Sequence, residues 1–260
     1  MARVTAIVNQ KGGVGKTTTA AALAAGLYAE TLDDERDILT IDADPQGNLT
    51  FIRGVEADKG LYEVLTGKEL IENVLQPTAQ GDLLPSSSAL LGADLEFTKT
   101  GREYLLRKRL EKLQEMDIYS HIIIDCPPQL GILSINALTA ADDVIIPMSA
   151  DILSLQGLGQ VYETINTVQR YCNPDLKIAG LLICKYTNRA TLNRNIAEAI
   201  EQQAEAAGIP VYQTKIRDAV AIREAQTMRE SIFKSHPKAK VTADYAAFVK
   251  EYLKQEDQTK

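Results

Sequence analysis

The chain has 260 residues, of which 45% are hydrophobic and 24% are charged. This composition excludes a disordered tail, a collagen-like fibre and a small disulfide scaffold, and the length is sufficient to bury a core without disulfides or a structural metal. The net charge of −7 argues against a protein coated in basic residues for nucleic acid, although it leaves room for a local basic patch.

Short β-branched runs alternate with longer helical patterns along the chain. The predicted strands are residues 4–9, 38–41, 122–125, 144–147 and 178–184. The predicted helices are residues 16–28, 102–116 and 152–171. This alternation predicts an α/β fold, a doubly wound and mostly parallel sheet with helices on both faces.

We expect a single domain over residues 1–260. Glycines, prolines and a serine run interrupt any regular pattern in residues 54–100, so an irregular elaboration is expected there. No apolar run approaches the ~20 residues that span a bilayer, and the N-terminal residues do not resemble a signal peptide. The three cysteines show no metal-binding spacing, which indicates reduced core thiols and a cytoplasmic protein.

A glycine-rich loop, NQKGGVGKTT at residues 9–18, lies between the first predicted strand and the first predicted helix. Glycines let successive backbone N–H groups curl around an anion, and the helix N-terminus adds positive partial charge. Lys16 would reach the β- and γ-phosphates of a nucleotide, and the Thr17 hydroxyl would ligate Mg²⁺. A purely structural turn is the alternative. The predicted phosphate-contacting residues are Gly12, Gly13, Val14, Gly15, Lys16, Thr17 and Thr18.

The loop departs from the usual G-x-x-x-x-G-K-[ST] pattern because Gln10 stands at the first glycine position. Its KGGVGKTT core resembles the deviant Walker A loop of the ParA/MinD group of P-loop ATPases, whose mark is the additional lysine, here Lys11. In that group the matching lysine crosses to the nucleotide of a second subunit. The resemblance therefore implies a homodimer that forms on ATP, with Lys11 and Lys16 both acting on phosphates.

Two further segments resemble this group. IDADPQGN at 41–48 is similar to its first switch, which implies that Asp44 orients the attacking water; the alternative is that Asp44 only caps a turn. HIIIDCPP at 121–128 is similar to its Walker B segment, a buried strand that delivers one carboxylate to its carboxyl end. By resemblance the catalytic residues are Lys11, Lys16 and Asp44, and the Mg²⁺ ligands are Thr17 and Asp125.

The resemblance covers nearly the whole chain and is greatest to the Soj/ParA partition proteins. It implies an ATPase that is slow unless a ParB-like centromere-binding partner stimulates it, and that drives partition of a chromosome, plasmid or mobile element. The loop begins at residue 10, so we expect no N-terminal DNA-reading extension of the kind that longer plasmid partition ATPases carry.

Nonspecific binding of double-stranded DNA is the output expected for such a protein. Residues 185–240 contain ten bases and six acids, a net +4 against −11 for the remainder, which suits contact with backbone phosphates on one face of a dimer. Arg189 matches an arginine that Soj-like proteins use for DNA, and Arg217 and Arg223 lie in a second segment bordering that surface. These three are the predicted DNA contacts, and they imply association with the nucleoid.

Other functions on this fold remain alternatives. A MinD-like or cargo-positioning ATPase would act on a membrane or a protein assembly, and the C-terminal segment does have Tyr245, Phe248, Val249 and Tyr252 on one helical face. The tail beyond them is acidic and polar, so packing on the domain is expected rather than membrane binding. Cobyrinate and dethiobiotin synthases share the fold, but no second catalytic domain or substrate motif is evident. A regulatory protein that holds ATP without hydrolysing it is a further alternative.

Overall fold

The computed structural model describes residues 1–30, 36–187 and 191–257. Within these ranges, seven strands form one sheet in the order β3-β4-β2-β5-β1-β6-β7, and every pair is parallel except β3 with β4. The strands are β1 (Arg3–Ile7), β2 (Asp37–Asp42), β3 (Gln76–Thr78), β4 (Gly81–Leu84), β5 (Tyr119–Asp125), β6 (Asp143–Ser149) and β7 (Lys177–Cys184). The predicted α/β fold with a mostly parallel sheet is confirmed.

Helices cover both faces of the sheet. They are α1 (Lys16–Glu30), α2 (Asn48–Ile52), α3 (Leu61–Thr66), α4 (Ala93–Glu96), α5 (Leu105–Gln114), α6 (Ile132–Ala140), α7 (Ile152–Tyr171), α8 (Thr191–Ala206), α9 (Val220–Thr227), α10 (Ile232–Ser235) and α11 (Lys240–Asp257). Short 3₁₀ turns occupy Ile71–Asn73, Ser88–Gly92 and Arg102–Tyr104. Hence the predicted helix at 102–116 begins as a 3₁₀ turn and continues as α5.

Alternate residues of the central strands face two separate cores. Ile123 of β5 joins the core under α1, α9 and α11, whereas its neighbours Ile122 and Ile124 join the core under α5 to α8. Successive side chains of a strand point to opposite faces, so a strand buried on both sides must be apolar throughout. This requirement explains the continuous apolar runs in the sequence.

Residues 54–100 contribute two strands that the sequence did not predict. β4 pairs in parallel with β2, and β3 returns antiparallel to close that edge of the sheet. The turn between them depends on Gly81, which has φ +84° and whose added Cβ would lie 2.1 Å from the Ile38 carbonyl oxygen. Strands of three and four residues are too short to show a period-two pattern, so the sequence pattern does not predict them.

The C-terminal helix α11 packs against α1 and the sheet. Tyr245, Phe248, Val249 and Tyr252 are all buried, and the Tyr252 hydroxyl lies 2.8 Å from the Thr5 hydroxyl of β1. The apolar face of α11 is therefore used within the domain. Across the described ranges, no helix has the length and apolar character needed to cross a membrane.

Candidate nucleotide site

The glycine-rich loop links β1 to α1 at the carboxyl end of the sheet. The Asn9 side chain anchors its start, since Nδ2 donates to the Pro147 carbonyl at 2.7 Å and Oδ1 accepts from the Lys11 backbone N–H at 2.9 Å. Gly13 and Gly15 have φ angles of +73° and +107°, a left-handed region that favours glycine. A Cβ added at Gly12 or Gly13 would meet no atom within 4 Å, so this side of the loop is open to an anion.

Lys16 is the first residue of α1 and is almost completely buried. Its Nζ donates to the Lys11 carbonyl oxygen at 3.2 Å. Burial lowers the pKa of Lys16, and the nearby Asp125 and Asp44 carboxylates oppose that shift. A cation held in this way is suited to bind phosphate oxygens.

Asp125 is the last residue of β5 and is fully buried. Within the described residues, neither of its carboxylate oxygens has a hydrogen-bond partner. Burial raises its pKa well above the usual carboxyl value and Asp42 adds to the shift, while the nearby Thr17 hydroxyl and Lys16 oppose it. A buried carboxylate without a hydrogen-bond partner, close to a hydroxyl, fits the oxygen ligands that Mg²⁺ prefers.

Asp42 is a component of the site that sequence reasoning missed. It lies beside Asp125 in the register of β2 and β5. Its Oδ2 accepts hydrogen bonds from the Thr50 backbone N–H and hydroxyl, both at 2.7 Å, and its Oδ1 accepts from the Asp44 N–H at 3.2 Å. Burial raises the pKa of Asp42 to about 6. Its position two residues before Asp44 in the first switch was the available signal.

Asp44 follows β2 and is buried at the edge of the site. Its Oδ1 accepts from the Gln46 backbone N–H at 3.0 Å, and its carbonyl oxygen accepts from the Ser86 hydroxyl at 2.6 Å. Asp44 therefore does cap a turn, as the alternative interpretation held. It also lines the cavity above the loop, so the turn holds Asp44 beside the predicted phosphate site.

A cavity of 730 Å³ lies above the loop, a volume in the range of small-molecule sites. Val14 and Asp125 are fully buried, and neither of them nor Lys11 is among the residues that line it. Its lining includes the loop and first switch, together with the segment from Ile216 to Thr227. The predicted phosphate-loop residues among the lining are Gly12, Gly13, Gly15, Lys16, Thr17 and Thr18.

Gln226 of α9 is a second residue that sequence reasoning missed. Its Nε2 donates to the Thr18 hydroxyl at 3.0 Å, which ties α9 to the first turn of α1. No local motif marks this glutamine, because the contact joins residues 208 positions apart. The contact closes one side of the cavity.

Two of the predicted DNA contacts lie on the rim of this cavity. Arg217 forms a two-point ion pair with Asp244, with Nε–Oδ2 and Nη2–Oδ1 distances of 2.5 and 2.6 Å. Arg223 is exposed and lies 3.5 Å from Asp218. Arg189, the third, falls outside the described residues. Among the described residues of the 185–240 region, the Lys and Arg side chains that form ion pairs with acids are those of Lys215, Arg217, Arg223, Arg229 and Lys234.

The parallel sheet, the anchored glycine loop and the carboxylates at the ends of β2 and β5 define a P-loop nucleotide-binding site. A family model described as "AAA domain" matches residues 2–178. The chain is 36% identical to the chromosome partitioning protein ParA of Myxococcus xanthus over 98% of this chain and 89% of that protein. It is 35% identical to the sporulation initiation inhibitor protein Soj of Bacillus subtilis over 96% and 98%, respectively. The chain belongs to the ParA/Soj family of P-loop ATPases.

The fold is also similar to a solved protein of Mycobacterium smegmatis described as cobyrinic acid a,c-diamide synthase. The TM-score is 0.84 at 37% identity, covering 100% of this chain and 97% of that chain in the form with ADP and magnesium. A second form of the same protein holds an ATP analogue and magnesium. These ligands agree with ATP and Mg²⁺, the cofactors predicted for this chain, and membership of the family confirms the predicted ATPase class.

Proposed function

We propose that this chain is a ParA-type ATPase that dimerises around ATP, binds DNA of any sequence in that state and releases it after hydrolysis. A ParB-like partner would stimulate hydrolysis and so direct the partition of DNA. The partition function is supported by the Myxococcus relative, a chromosome partitioning protein whose match covers 98% of this chain. Association with the nucleoid follows from DNA binding in the ATP state.

The observation that carries the proposal is the different placement of two lysines in one loop. Lys16 is buried and lines the cavity, whereas Lys11 lies outside the cavity with 28% of its side chain exposed. Because the Lys11 ammonium lies against Asp151 at the start of α7, it could reach the γ-phosphate of a second subunit once it leaves that carboxylate. Two facing γ-phosphates repel, so an added cation from each side would stabilise the dimer.

Hydrolysis would use the acidic side chains that lie at the carboxyl ends of β2 and β5. The Thr17 hydroxyl and the Asp125 carboxylate would hold Mg²⁺, which supplies positive charge to the phosphate oxygens when bound. Asp44 would orient the attacking water, since its carboxylate lines the same cavity and is fixed by Gln46. Hydrolysis that is slow until a ParB-like partner stimulates it would suit a switch.

Two alternatives have less support. The apolar face of α11 that a membrane-binding ATPase would present is buried against α1 and the sheet. An amide synthase that took its nitrogen from glutamine through a cysteine would need a reactive thiolate. Burial raises the pKa of Cys184 to about 12 and also raises that of Cys126, which disfavours the thiolate at both positions. The third cysteine, Cys172, is partly exposed but lies at the C-terminal end of α7 and is not among the residues that line the cavity.

The test compares Asp44→Ala with Lys11→Ala. Asp44→Ala should form a dimer with ATP that stays on DNA and hydrolyses slowly, because water positioning is lost while phosphate contacts persist. Lys11→Ala should bind ATP as a monomer and fail to dimerise. Sedimentation velocity with ATP measures the dimer, and phosphate release with DNA and partner measures hydrolysis. Normal dimerisation of Lys11→Ala, or normal stimulated hydrolysis by Asp44→Ala, would contradict the proposal.

A further inference from the structure

Asp151 lies at the junction of β6 and α7 and caps that helix. Its Oδ1 accepts hydrogen bonds from the backbone N–H groups of Leu153 and Ser154, at 3.1 and 3.0 Å. The same carboxylate forms an ion pair with Lys11, whose Nζ also lies 3.4 Å from the Ser154 hydroxyl. One side chain therefore both begins α7 and holds the additional lysine of the phosphate loop.

Lys11 is restrained at its backbone as well as at its side chain. Its N–H donates to Asn9 and its carbonyl oxygen accepts from Lys16. With Asp151 at the end of the side chain, the ammonium group is directed along its own subunit towards α7. To reach a nucleotide of a second subunit, Nζ must leave this carboxylate.

We infer that Asp151 is a positioning residue that retains Lys11 within its own subunit and thereby weakens the ATP-dependent dimer. The inference rests on the proposed function, because it requires that Lys11 contacts the nucleotide of a second subunit. In a symmetric dimer the ion pair is broken twice, once in each protomer. The free energy that the ion pair contributes to each free subunit is therefore lost twice when the dimer forms.

The surroundings of the pair support this role. Hydrogen bonds from Lys11, Ser149 and Ser154 outweigh partial burial and lower the pKa of Asp151 to about 2, so the carboxylate is charged throughout the physiological range. The next two residues, Ile152 and Leu153, expose 55% and 62% of their surface. Their burial against a second subunit would offset part of the loss when Lys11 is released.

The experiment compares Asp151→Asn with Asp151→Ala as a matched pair. Both remove the ion pair, but asparagine is as good an N-cap as aspartate, so only the alanine variant loses the cap of α7. With a non-hydrolysable ATP analogue and Mg²⁺, analytical ultracentrifugation should give a dimer dissociation constant about tenfold lower in both variants. ATP affinity measured at protein concentrations that keep the chain monomeric should be unchanged. Asp151→Ala should unfold at a lower temperature than Asp151→Asn, because both variants lose the ion pair and only alanine also loses the helix cap.

Lys11→Ala separates failure of this inference from failure of the proposed function. If Lys11→Ala does not dimerise but Asp151→Asn dimerises no more tightly than the unmodified chain, the restraining role of Asp151 is wrong and the role of Lys11 in the dimer stands. If Lys11→Ala dimerises normally with the analogue, both are overturned. A tighter dimer in Asp151→Ala alone would also overturn the inference, because it would trace the effect to the helix cap.

Discussion

At the residue scale, the site brings together charged side chains that burial has removed from water. Desolvation disfavours the ammonium of Lys16 and the carboxylate of Asp125 alike, while their attraction for each other offsets part of that cost. Asp42 is stabilised in the same place by hydrogen bonds from Thr50. Such an arrangement is incomplete until phosphate and a divalent cation balance the charges.

Lys16→Ala should reduce ATP affinity at least about a hundredfold, because the β- and γ-phosphates lose a buried cation that hydrogen-bonds to them. Equilibrium titration with a fluorescent ATP analogue measures the loss. Lys11→Ala is the matched control from the same loop and should retain monomer affinity. ATP binding by Lys16→Ala at the affinity of the unmodified chain would contradict the assignment of the phosphate loop.

Asp125→Asn should raise the free energy of unfolding of the nucleotide-free protein by about 1 kcal/mol at pH 8, since a buried charge without a hydrogen-bond partner is removed. The folded protein holds the Asp125 proton more tightly than the unfolded chain, because its pKa is raised. Stability is therefore lost as pH rises above the usual carboxyl pKa towards the raised one. The difference in the free energy of unfolding between Asp125→Asn and the unmodified chain should grow between pH 5 and pH 8.

Urea unfolding at the two pH values, with and without Mg²⁺ and ATP, measures this effect. Mg²⁺ with ATP should stabilise the unmodified chain and have little effect on Asp125→Asn. Equal stabilisation of both proteins would show that Asp125 does not hold the cation.

At the element scale, the close approach of α1 and α11 fixes the C-terminal helix on the domain. Gly26 of α1 faces Val249 of α11, and an added Cβ would lie 2.5 Å from a methyl carbon of that valine. Tyr252 and Thr5 join the far end of α11 to β1 through their hydroxyls. The apolar face of α11 is therefore part of the packed core on this side of the sheet.

Gly26→Ala should lower the free energy of unfolding by about 1–3 kcal/mol, although alanine is the better helix former, because the new methyl group clashes with Val249. Gly159 of α7 provides the matched control, since a Cβ there meets no atom within 4 Å. Gly159→Ala should raise stability by about 0.5–1 kcal/mol. Urea denaturation of both variants measures the difference, and a stabilising Gly26→Ala would refute the close packing of the two helices.

At the scale of the whole molecule, charge is unevenly distributed. The chain carries −7 in total, yet residues 185–240 carry +4. Ion pairs within the protein occupy several of those bases, including Arg217, which Asp244 holds at two points. The DNA binding proposed for the ATP dimer would therefore compete with internal acids, and its affinity should depend on how many cations the dimer presents together.

Asp244→Asn should strengthen DNA binding severalfold at low salt, because it releases Arg217 from its carboxylate. Arg217→Glu combined with Arg189→Glu or Arg223→Glu should abolish binding. Fluorescence anisotropy with DNA of unrelated sequences, across a salt series with ATP or ADP, measures both effects, and sedimentation reports the dimer separately. DNA binding that is equal with ATP and ADP and unchanged in the arginine variants, together with ATP-dependent binding to anionic vesicles, would favour the membrane alternative.

The sequence by itself determined the central strands, the glycine-rich loop and the two acidic segments at the carboxyl ends of β2 and β5. Each depends on residues close together in the chain: a β-branched run buried on both faces, glycines before a helix, or a carboxylate at the end of a strand. Their order along the chain was enough to indicate the sheet and the edge at which Lys16, Asp44 and Asp125 meet.

Only the tertiary structure decided how these parts are partnered. The contact of Lys11 with Asp151 joins residues 140 positions apart, and that of Gln226 with Thr18 joins residues 208 apart. The strands β3 and β4 and the pairing of Arg217 with Asp244 were equally absent from any local pattern. Such contacts form when separate elements pack, and no spacing within one element encodes which charge or amide will lie opposite.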